Sequence, residues 1–286
     1  MINIDGKTKT VCLIGNPVAH SFSPFIHNFG FDLHKINAVY LAHNVQGEDL
    51  KQAVEGIKVL GYLGANVTYP HKTEIIKHLD ELTESAKFIG AVNTIQNQNG
   101  KLIGHNTDGD GFVAGLKNKG HNLDKKTIYI LGAGGAARSI IFSLCKTFQC
   151  NITLCNRNLE KAQQIQQTVN EHPNLLGKID TCLTPDQIDT NKTIDVIINC
   201  TPIGMEETMN QIPFEQHITF NERMLVCDLI YQPYTTKLLQ IALDHSAKVH
   251  YGLDMLIYQG ILSFEIWTNE TLPYNEIDAL LKRKLY

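Results

Sequence analysis

Ile128-Tyr129-Ile130-Leu131-Gly132-Ala133-Gly134-Gly135-Ala136-Ala137-Arg138 reads as an apolar strand running straight into a glycine-rich turn, and Ala136 to Phe148 is then patterned as a helix. The turn fits G-x-G-x-x-A. Gly132 permits the tight turn, Gly134 lets a backbone approach a pyrophosphate, and Ala137 is small enough for helix and strand to pack closely. Gly135 and Ala136 stand at the helix N-terminus, where free N–H groups and a partial positive charge favour phosphates. Strand, turn and helix at this spacing form a dinucleotide-binding fingerprint.

Toward the C-terminus the alternation continues with strand Ile152 to Cys155, helix Leu159 to Glu171, strands Ile194 to Asn199 and Met224 to Leu229, and helix Thr235 to His245. This is the pattern of a doubly wound nucleotide-binding domain. The second strand ends in Cys155-Asn156-Arg157-Asn158-Leu159-Glu160-Lys161, about where an NAD enzyme places an acid for the ribose 2′-hydroxyl. Here Arg157, beside Asn156, can present a planar fork to a 2′-phosphate, and Lys161 can add a point charge from the next helix. The expected cofactor is therefore NADP rather than NAD.

The N-terminal side alternates in the same way: strand Val11 to Ile14 and helix Pro24 to Lys35, strand Ala38 to Val45 and helix Glu48 to Leu60, strand Gly64 to Thr68 and helix Thr73 to Leu82. It predicts a second α/β unit with a mainly parallel sheet. Val92 to Gln96 and Leu102 to His105 read as a hairpin across Asn97-Gln98-Asn99-Gly100, whose Asn-Gly supplies the positive-φ positions. Asp110 to Leu116 reads as a bridging helix and Lys117 to Lys126 as the linker. Two helical patterns follow Gly252.

Composition narrows the function classes. The 286 residues are 43% hydrophobic and 19% charged, ordinary values for a globular protein long enough for two domains. No window reaches the roughly 18 consecutive apolar residues of a membrane span. The opening Met1 to Thr10 lacks the basic and apolar regions of a secretory signal, which makes the cytoplasm the expected compartment. A formal net charge of -4 offers no excess positive field to nucleic acid. Cys12, Cys155, Cys200 and Cys227 lie in or at the end of apolar runs, as small core hydrophobes do. No metal site is implied: CxxC and HExxH are absent, and His27 and His34 lack a third ligand nearby.

Four further segments are dense in small polar groups beside Gly or Pro: Gly15 to Asn28 (GNPVAHSFSPFIHN), Asn66 to Lys72 (NVTYPHK), Gly90 to Thr94 (GAVNT) and Gly104 to Phe112 (GHNTDGDGF). Each sits at a strand end or helix start, where α/β sheets place ligands. Singly, each has a structural reading: Ser21 or Ser23 as a helix cap, Asn93 as a turn former, Asp108 as an N-cap. Together and in order, with Asn199-Cys200-Thr201-Pro202-Ile203-Gly204-Met205, Asp228-Leu229-Ile230-Tyr231-Gln232-Pro233 and Gly252 to Gly260 (GLDMLIYQG), they resemble the shikimate dehydrogenase family over nearly the whole chain.

That resemblance implies a substrate-binding α/β domain (1–110 and 252–286), a Rossmann-type NADP-binding domain (111–251) and an active site in the cleft between them. It implies reversible NADPH-dependent reduction of 3-dehydroshikimate to shikimate, a step of chorismate and aromatic amino acid biosynthesis, in a monomer or homodimer. By the same resemblance Ser21 and Ser23 bind the substrate carboxylate, and Asn66, Thr68, Asn93, Tyr231 and Gln259 surround the ring. Lys72 and Asp108 flank the C3 oxygen, and Thr201, Leu229 and Gly252 face the nicotinamide. The chemistry suits these types, because a carbonyl accepting hydride becomes an alkoxide that needs a proton and a nearby positive charge. Lys72 is then the proton donor and acceptor and Asp108 its orienting partner. Rival readings are an enzyme that also takes quinate, with NAD or NADP, and a non-catalytic sensor on the same fold. Retention of Lys72, Asp108, Asn66, Asn93 and Gln259 argues against the sensor. Asn269, where many relatives carry Gly, and His71 before the lysine depart from the pattern without touching this chemistry.

Overall fold

The computed structural model describes residues 4–188, 193–214 and 218–285. The first three residues of the opening stretch read for a signal, and Tyr286 at the end of the last helical pattern, lie outside them. The chain forms two compact units, Met1–Thr107 with Ile257–Tyr286, and Asp108–Leu256.

The first unit carries β1 (Lys9–Gly15), α1 (Ser23–Leu33), β2 (Ala38–Asn44), α2 (Leu50–Val59), β3 (Gly64–Val67), β4 (Glu81–Leu82), α3 (Glu84–Ile89), β5 (Thr94–Gln98) and β6 (Lys101–His105). Its sheet runs β2-β1-β3-β5-β6-β4. Parallel pairing of β1 with β2 and β3 gives way to antiparallel pairing of β3 with β5 and β5 with β6. Leu50, Val54 and Ile57 fall on one stripe of α2 and pack with Cys12, Ile14, Ala65 and Val67 in the core on one sheet face. The hairpin is tighter than the sequence reading: β5 extends to Gln98, and Asn99 and Gly100 alone turn the chain, at φ 54 and 91.

In the second unit α4 (Asp108–Asn118) precedes β7 (Thr127–Leu131), α5 (Gly135–Thr147), β8 (Asn151–Cys155), α6 (Leu159–Asn170), β9 (Lys178–Leu183), β10 (Val196–Asn199), β11 (Leu225–Asp228), α7 (Lys237–Asp244) and β12 (Lys248–His250). The sheet order is β12-β11-β10-β7-β8-β9, and all five pairings are parallel. This is the doubly wound order, whose winding reverses between β7 and β10. The last two helices are α8 (Gly252–Thr268) and α9 (Tyr274–Leu285). The division between the units falls within α8, after Leu256.

Several local expectations change. Thr73 to Leu82, with apolar residues at helical spacing, forms instead a 3-10 segment, Glu74–His78, followed by β4. Thr73 makes no side-chain cap, whereas Asp80 is drawn to β6: its carboxylate accepts from the Leu102 N–H at 2.7 Å and its own N–H donates to the Leu102 carbonyl at 3.0 Å. The segment read as a linker, 117–126, closes α4 and leads to β7 inside the second unit. The sequence reading missed α3, β9 and β12. Cys12, Cys155 and Cys227 are buried and Cys200 half-buried, and burial raises all four thiols, Cys12 and Cys155 to about 12.

Candidate active site

In the first unit the polar segments converge at the ends of β1, β3 and β5 and on α8. Asn66 lies in β3, one residue before its end, at 5% exposure, and its side chain is committed on both ends. Its Oδ1 accepts from the Tyr40 hydroxyl at 2.7 Å, and its Nδ2 donates to the Asn93 carbonyl, Thr94 Oγ1 and Ser263 Oγ, each at 3.1 Å. Asn93, equally buried, donates from Nδ2 to Thr107 Oγ1 at 2.8 Å and to Gln259 Oε1 at 3.4 Å. Its Oδ1 accepts from Thr107 N at 2.8 Å and from Thr94 Oγ1 at 3.1 Å. Burial makes such a network costly to leave incomplete, so it holds Asn93 and Gln259 in one orientation.

Ser21 and Ser23 stand together at the entry to α1, their hydroxyls 3.2 Å apart, with the Ser23 N–H donating to Ser21 Oγ at 3.2 Å. Pro24 stands in the first turn of that helix, where its missing N–H costs nothing. Thr68 and Lys72 share the loop after β3. Thr68 packs against the backbone at Gly15, where any Cβ would meet its methyl at 2.2 Å. His71 Nε2 lies 2.8 Å from the Val45 carbonyl, and the Lys72 carbonyl accepts from Val92 N at 2.8 Å, so both sides of the loop are tied to the sheet. Lys72 is half-buried.

The second unit presents the glycine turn at the winding reversal. Gly132 sits at φ 101, which its lack of a Cβ permits, and its N–H donates to the Cys155 carbonyl at 2.7 Å. Gly134 is the N-cap of α5, and a Cβ built on Gly134 or Gly135 meets nothing within 4 Å. Packing of the protein therefore does not call for glycine at these two positions, and the backbone there is open to a close approach. Thirteen helical residues follow, giving the N-terminus its positive end. After β8, Asn156 Nδ2 donates to the Asn158 carbonyl at 2.7 Å, Asn158 caps α6 through the Lys161 N–H at 2.9 Å, and Arg157 and Lys161 are exposed. These residues fit a dinucleotide carrying a 2′-phosphate.

At the ends of β10 and β11, Thr201 is bound to Asn199 Oδ1 through both its N–H (3.0 Å) and its hydroxyl (2.7 Å). Asn199 Nδ2 in turn donates to Asp228 Oδ1 at 3.1 Å, and Thr236 Oγ1 donates to Asp228 Oδ2 at 2.7 Å. Burial raises the Asp228 carboxyl to about 6 against these donors. Leu229 follows directly, and Gly252 lies against it so closely that a Cβ would stand 2.3 Å from the Leu229 carbonyl oxygen. Tyr231 is half-buried, and burial raises its phenol. Asp108, 6% exposed, opens α4 in this unit.

The structure thus groups Ser21 with Ser23, Thr68 with Lys72, and Asn66 with Asn93 and Gln259 in the first unit. In the second it groups Thr201 with the glycine turn, since a Cβ on Gly132 would lie 3.1 Å from Thr201 Cγ2, and Leu229 with Gly252. The sequence reading missed Tyr40, Thr94, Thr107 and Ser263, and the Asn199, Asp228 and Thr236 cluster. Thr94, Thr107, Asn199 and Asp228 lie inside the quoted motifs and could have been found there. Tyr40, Thr236 and Ser263 sit outside any motif read for function or within apolar helical pattern, and carry no such signal. No helix among the described residues is long and apolar enough to cross a membrane.

Comparison with known proteins agrees in each region. Family models described as "Shikimate dehydrogenase substrate binding domain", "Shikimate / quinate 5-dehydrogenase" and "Shikimate 5'-dehydrogenase C-terminal domain" match residues 13–95, 115–229 and 252–282. A shikimate dehydrogenase (NADP(+)) of Alkaliphilus oremlandii is 42% identical over 279 residues, covering 97% of this chain and 98% of the relative. A crystal structure of a shikimate dehydrogenase in complex with NADP+ is 42% identical, covers 99% of this chain and 98% of its own, and has a TM-score of 0.90. The shikimate 5-dehydrogenase of Listeria monocytogenes, solved with shikimate and NAD, is 33% identical with a TM-score of 0.90 and covers 97% and 98%. With three family matches in chain order and 42% identity carried across nearly its whole length, this chain belongs to the shikimate dehydrogenase family.

Proposed function

We propose that this chain reversibly reduces 3-dehydroshikimate to shikimate with NADPH. The observation that carries the reading is the retention of the glycine turn and all four polar segments in a chain 42% identical to an NADP(+)-dependent shikimate dehydrogenase. The cofactor supplies a hydride to the carbonyl carbon. Gly132, Gly134, Gly135 and Ala136 hold its pyrophosphate, Asn156, Arg157 and Lys161 its adenosine 2′-phosphate, and Thr201, Leu229 and Gly252 its nicotinamide end.

On the substrate side Ser21 and Ser23 bind the carboxylate, and Asn66, Thr68, Asn93, Tyr231 and Gln259 orient the ring. Lys72 gives its proton to the C3 oxygen in reduction and takes it back in oxidation, while its positive charge stabilises the oxyanion as it forms. Asp108 orients Lys72 by hydrogen bonding. The buried hydrogen bonds around Asn93 support this assignment, because orientation fixed in advance costs no reorganisation during the reaction. We assign the reaction to a monomer or a homodimer in the cytoplasm.

A steady-state assay of the purified protein with shikimate and quinate, each with NADP and NAD, tests the reading. The expected order has shikimate with NADP giving the highest kcat/KM. Preference for quinate, or absence of turnover with shikimate and either cofactor, overturns it.

A further inference from the structure

The first unit holds a cavity of about 540 Å³ that the proposed reaction does not use, lined by Phe25 and Phe29 of α1 and by Ile277, Leu280, Arg283 and Lys284 of α9. The volume lies in the range of small-molecule sites, roughly 300–1,000 Å³. Phe25 and Leu280 are large apolar side chains left 47% and 41% exposed in it.

Its charge is one-sided. Arg283 and Lys284 are its charged lining residues, and no acidic side chain of the described residues lines it. Basic residues in a last helical turn have an ordinary role, complementing the helix dipole, and Lys282 fits that role, paired with Asp278 at 2.8 Å. Lys284 is placed differently, with Nζ 3.3 Å from the centre of the Phe25 ring. Lys284 and Arg283 thus stand beside an apolar, aromatic lining, a combination complementary in charge and polarity to a molecule that carries a ring and an anion together.

We propose that the groove between α1 and α9 is a binding site for a small aryl-alkyl carboxylate, its ring between Phe25, Phe29 and Leu280 and its carboxylate on Arg283 and Lys284. The site is separate from the catalytic residues assigned above and does not depend on those roles.

The test uses 3-(4-fluorophenyl)propanoate, followed by ¹⁹F line width, with the full-length protein saturated with NADPH and shikimate, a pair that does not react together, so that those sites are filled. Saturable binding of one molecule per chain is expected, weakened at least tenfold in the Arg283→Ala/Lys284→Ala double variant. Unchanged shikimate oxidation by that variant serves as the check on its folding. The neutral probe 3-(4-fluorophenyl)propanamide is expected to bind at least tenfold more weakly than the acid. Equal binding of acid and amide, or an unchanged Kd in the double variant, overturns the proposal. So does a dimer in sedimentation that Leu280→Arg converts to monomer, since the groove is then an interface between copies.

Discussion

Asn93 and Thr107 hold each other by two hydrogen bonds: the Asn93 amide donates to the Thr107 hydroxyl at 2.8 Å, and the Thr107 N–H donates to Asn93 Oδ1 at 2.8 Å. The Thr107 hydroxyl then donates to the Gln259 carbonyl at 3.1 Å. One buried hydroxyl thereby links a residue assigned to the substrate ring, the helix that carries Gln259, and the backbone directly preceding Asp108.

Thr107→Val keeps the shape and removes that hydroxyl. It leaves buried partners unsatisfied, so stability is expected to fall by about 1–3 kcal/mol in urea unfolding. The shikimate KM is expected to rise several-fold with kcat little changed. A stability loss with an unchanged KM would show that the network supports the fold without orienting the substrate.

Lys72→Ala is expected to leave shikimate binding within a few-fold and to cut turnover by about 10²–10⁴, the range for a positioned acid or base. Asp108→Asn should also slow turnover, and the double variant should lose less than the product of the two single losses, because the groups act as one unit. Stopped-flow hydride transfer measures the step. Near-normal turnover with weakened binding would reassign Lys72 to holding a hydroxyl.

Arg157→Ala is expected to weaken NADP by roughly 1.5–3 kcal/mol, the scale of a hydrogen bond to a charged group, while NAD changes little. Michaelis constants for both cofactors decide it, and an unchanged NADP value would falsify the assignment.

Gly134→Ala separates a ligand cradle from a packing turn. A Cβ there meets nothing within 4 Å, and the residue has φ -80, which alanine adopts freely. The apoprotein is expected to be unchanged in stability or to gain about 0.4–1 kcal/mol through a less flexible unfolded chain, while NADP affinity falls. Gly252→Ala is expected to behave oppositely and destabilise by about 1–3 kcal/mol, since its Cβ would meet the Leu229 carbonyl oxygen at 2.3 Å and backbone cannot swing aside. Thermal unfolding of both apoproteins, with NADP titrations, distinguishes the two cases.

Acid stability should report on His27, which is fully buried, stacks on Tyr40 at 4.5 Å between ring centres, and has no well-formed hydrogen bond at either ring nitrogen among the described residues, the nearby Asn66 side chain only partly opposing the effect of burial. Burial lowers it from the ordinary 6.5 to about 3. Between those values the unfolded chain binds a proton that the folded chain does not, so stability is lost as pH falls through that window. From pH 7.5 to 5.0 its share is about 2 kcal/mol. His27→Phe keeps a ring against Tyr40 and should reduce the acid loss by about that amount. His250, lowered by burial to about 4, continues to titrate in the variant. An unchanged pH slope in His27→Phe would mean that His27 takes up its proton without unfolding.

What the sequence alone determined is local in origin. The β7 to α5 turn, the Arg157 position after β8 and the Asn99-Gly100 hairpin were legible because each depends on backbone freedom or spacing within about ten residues. Segments whose conformation depends on a distant partner were not. Thr73 to Leu82 carries a helical apolar pattern, yet it forms only a 3-10 segment before Asp80 pairs with Leu102 of β6 and Glu81–Leu82 becomes strand. β9 alternates poorly and becomes a strand by pairing with β8 at the sheet edge. The motifs named Asn66, Asn93 and Gln259 as site residues, but only the tertiary structure supplies what orients them. Ser263 binds Asn66 across 197 positions of sequence and Tyr40 does so across 26. A buried hydroxyl leaves no periodic trace in a chain, because its value lies in which polar groups folding brings within reach of it.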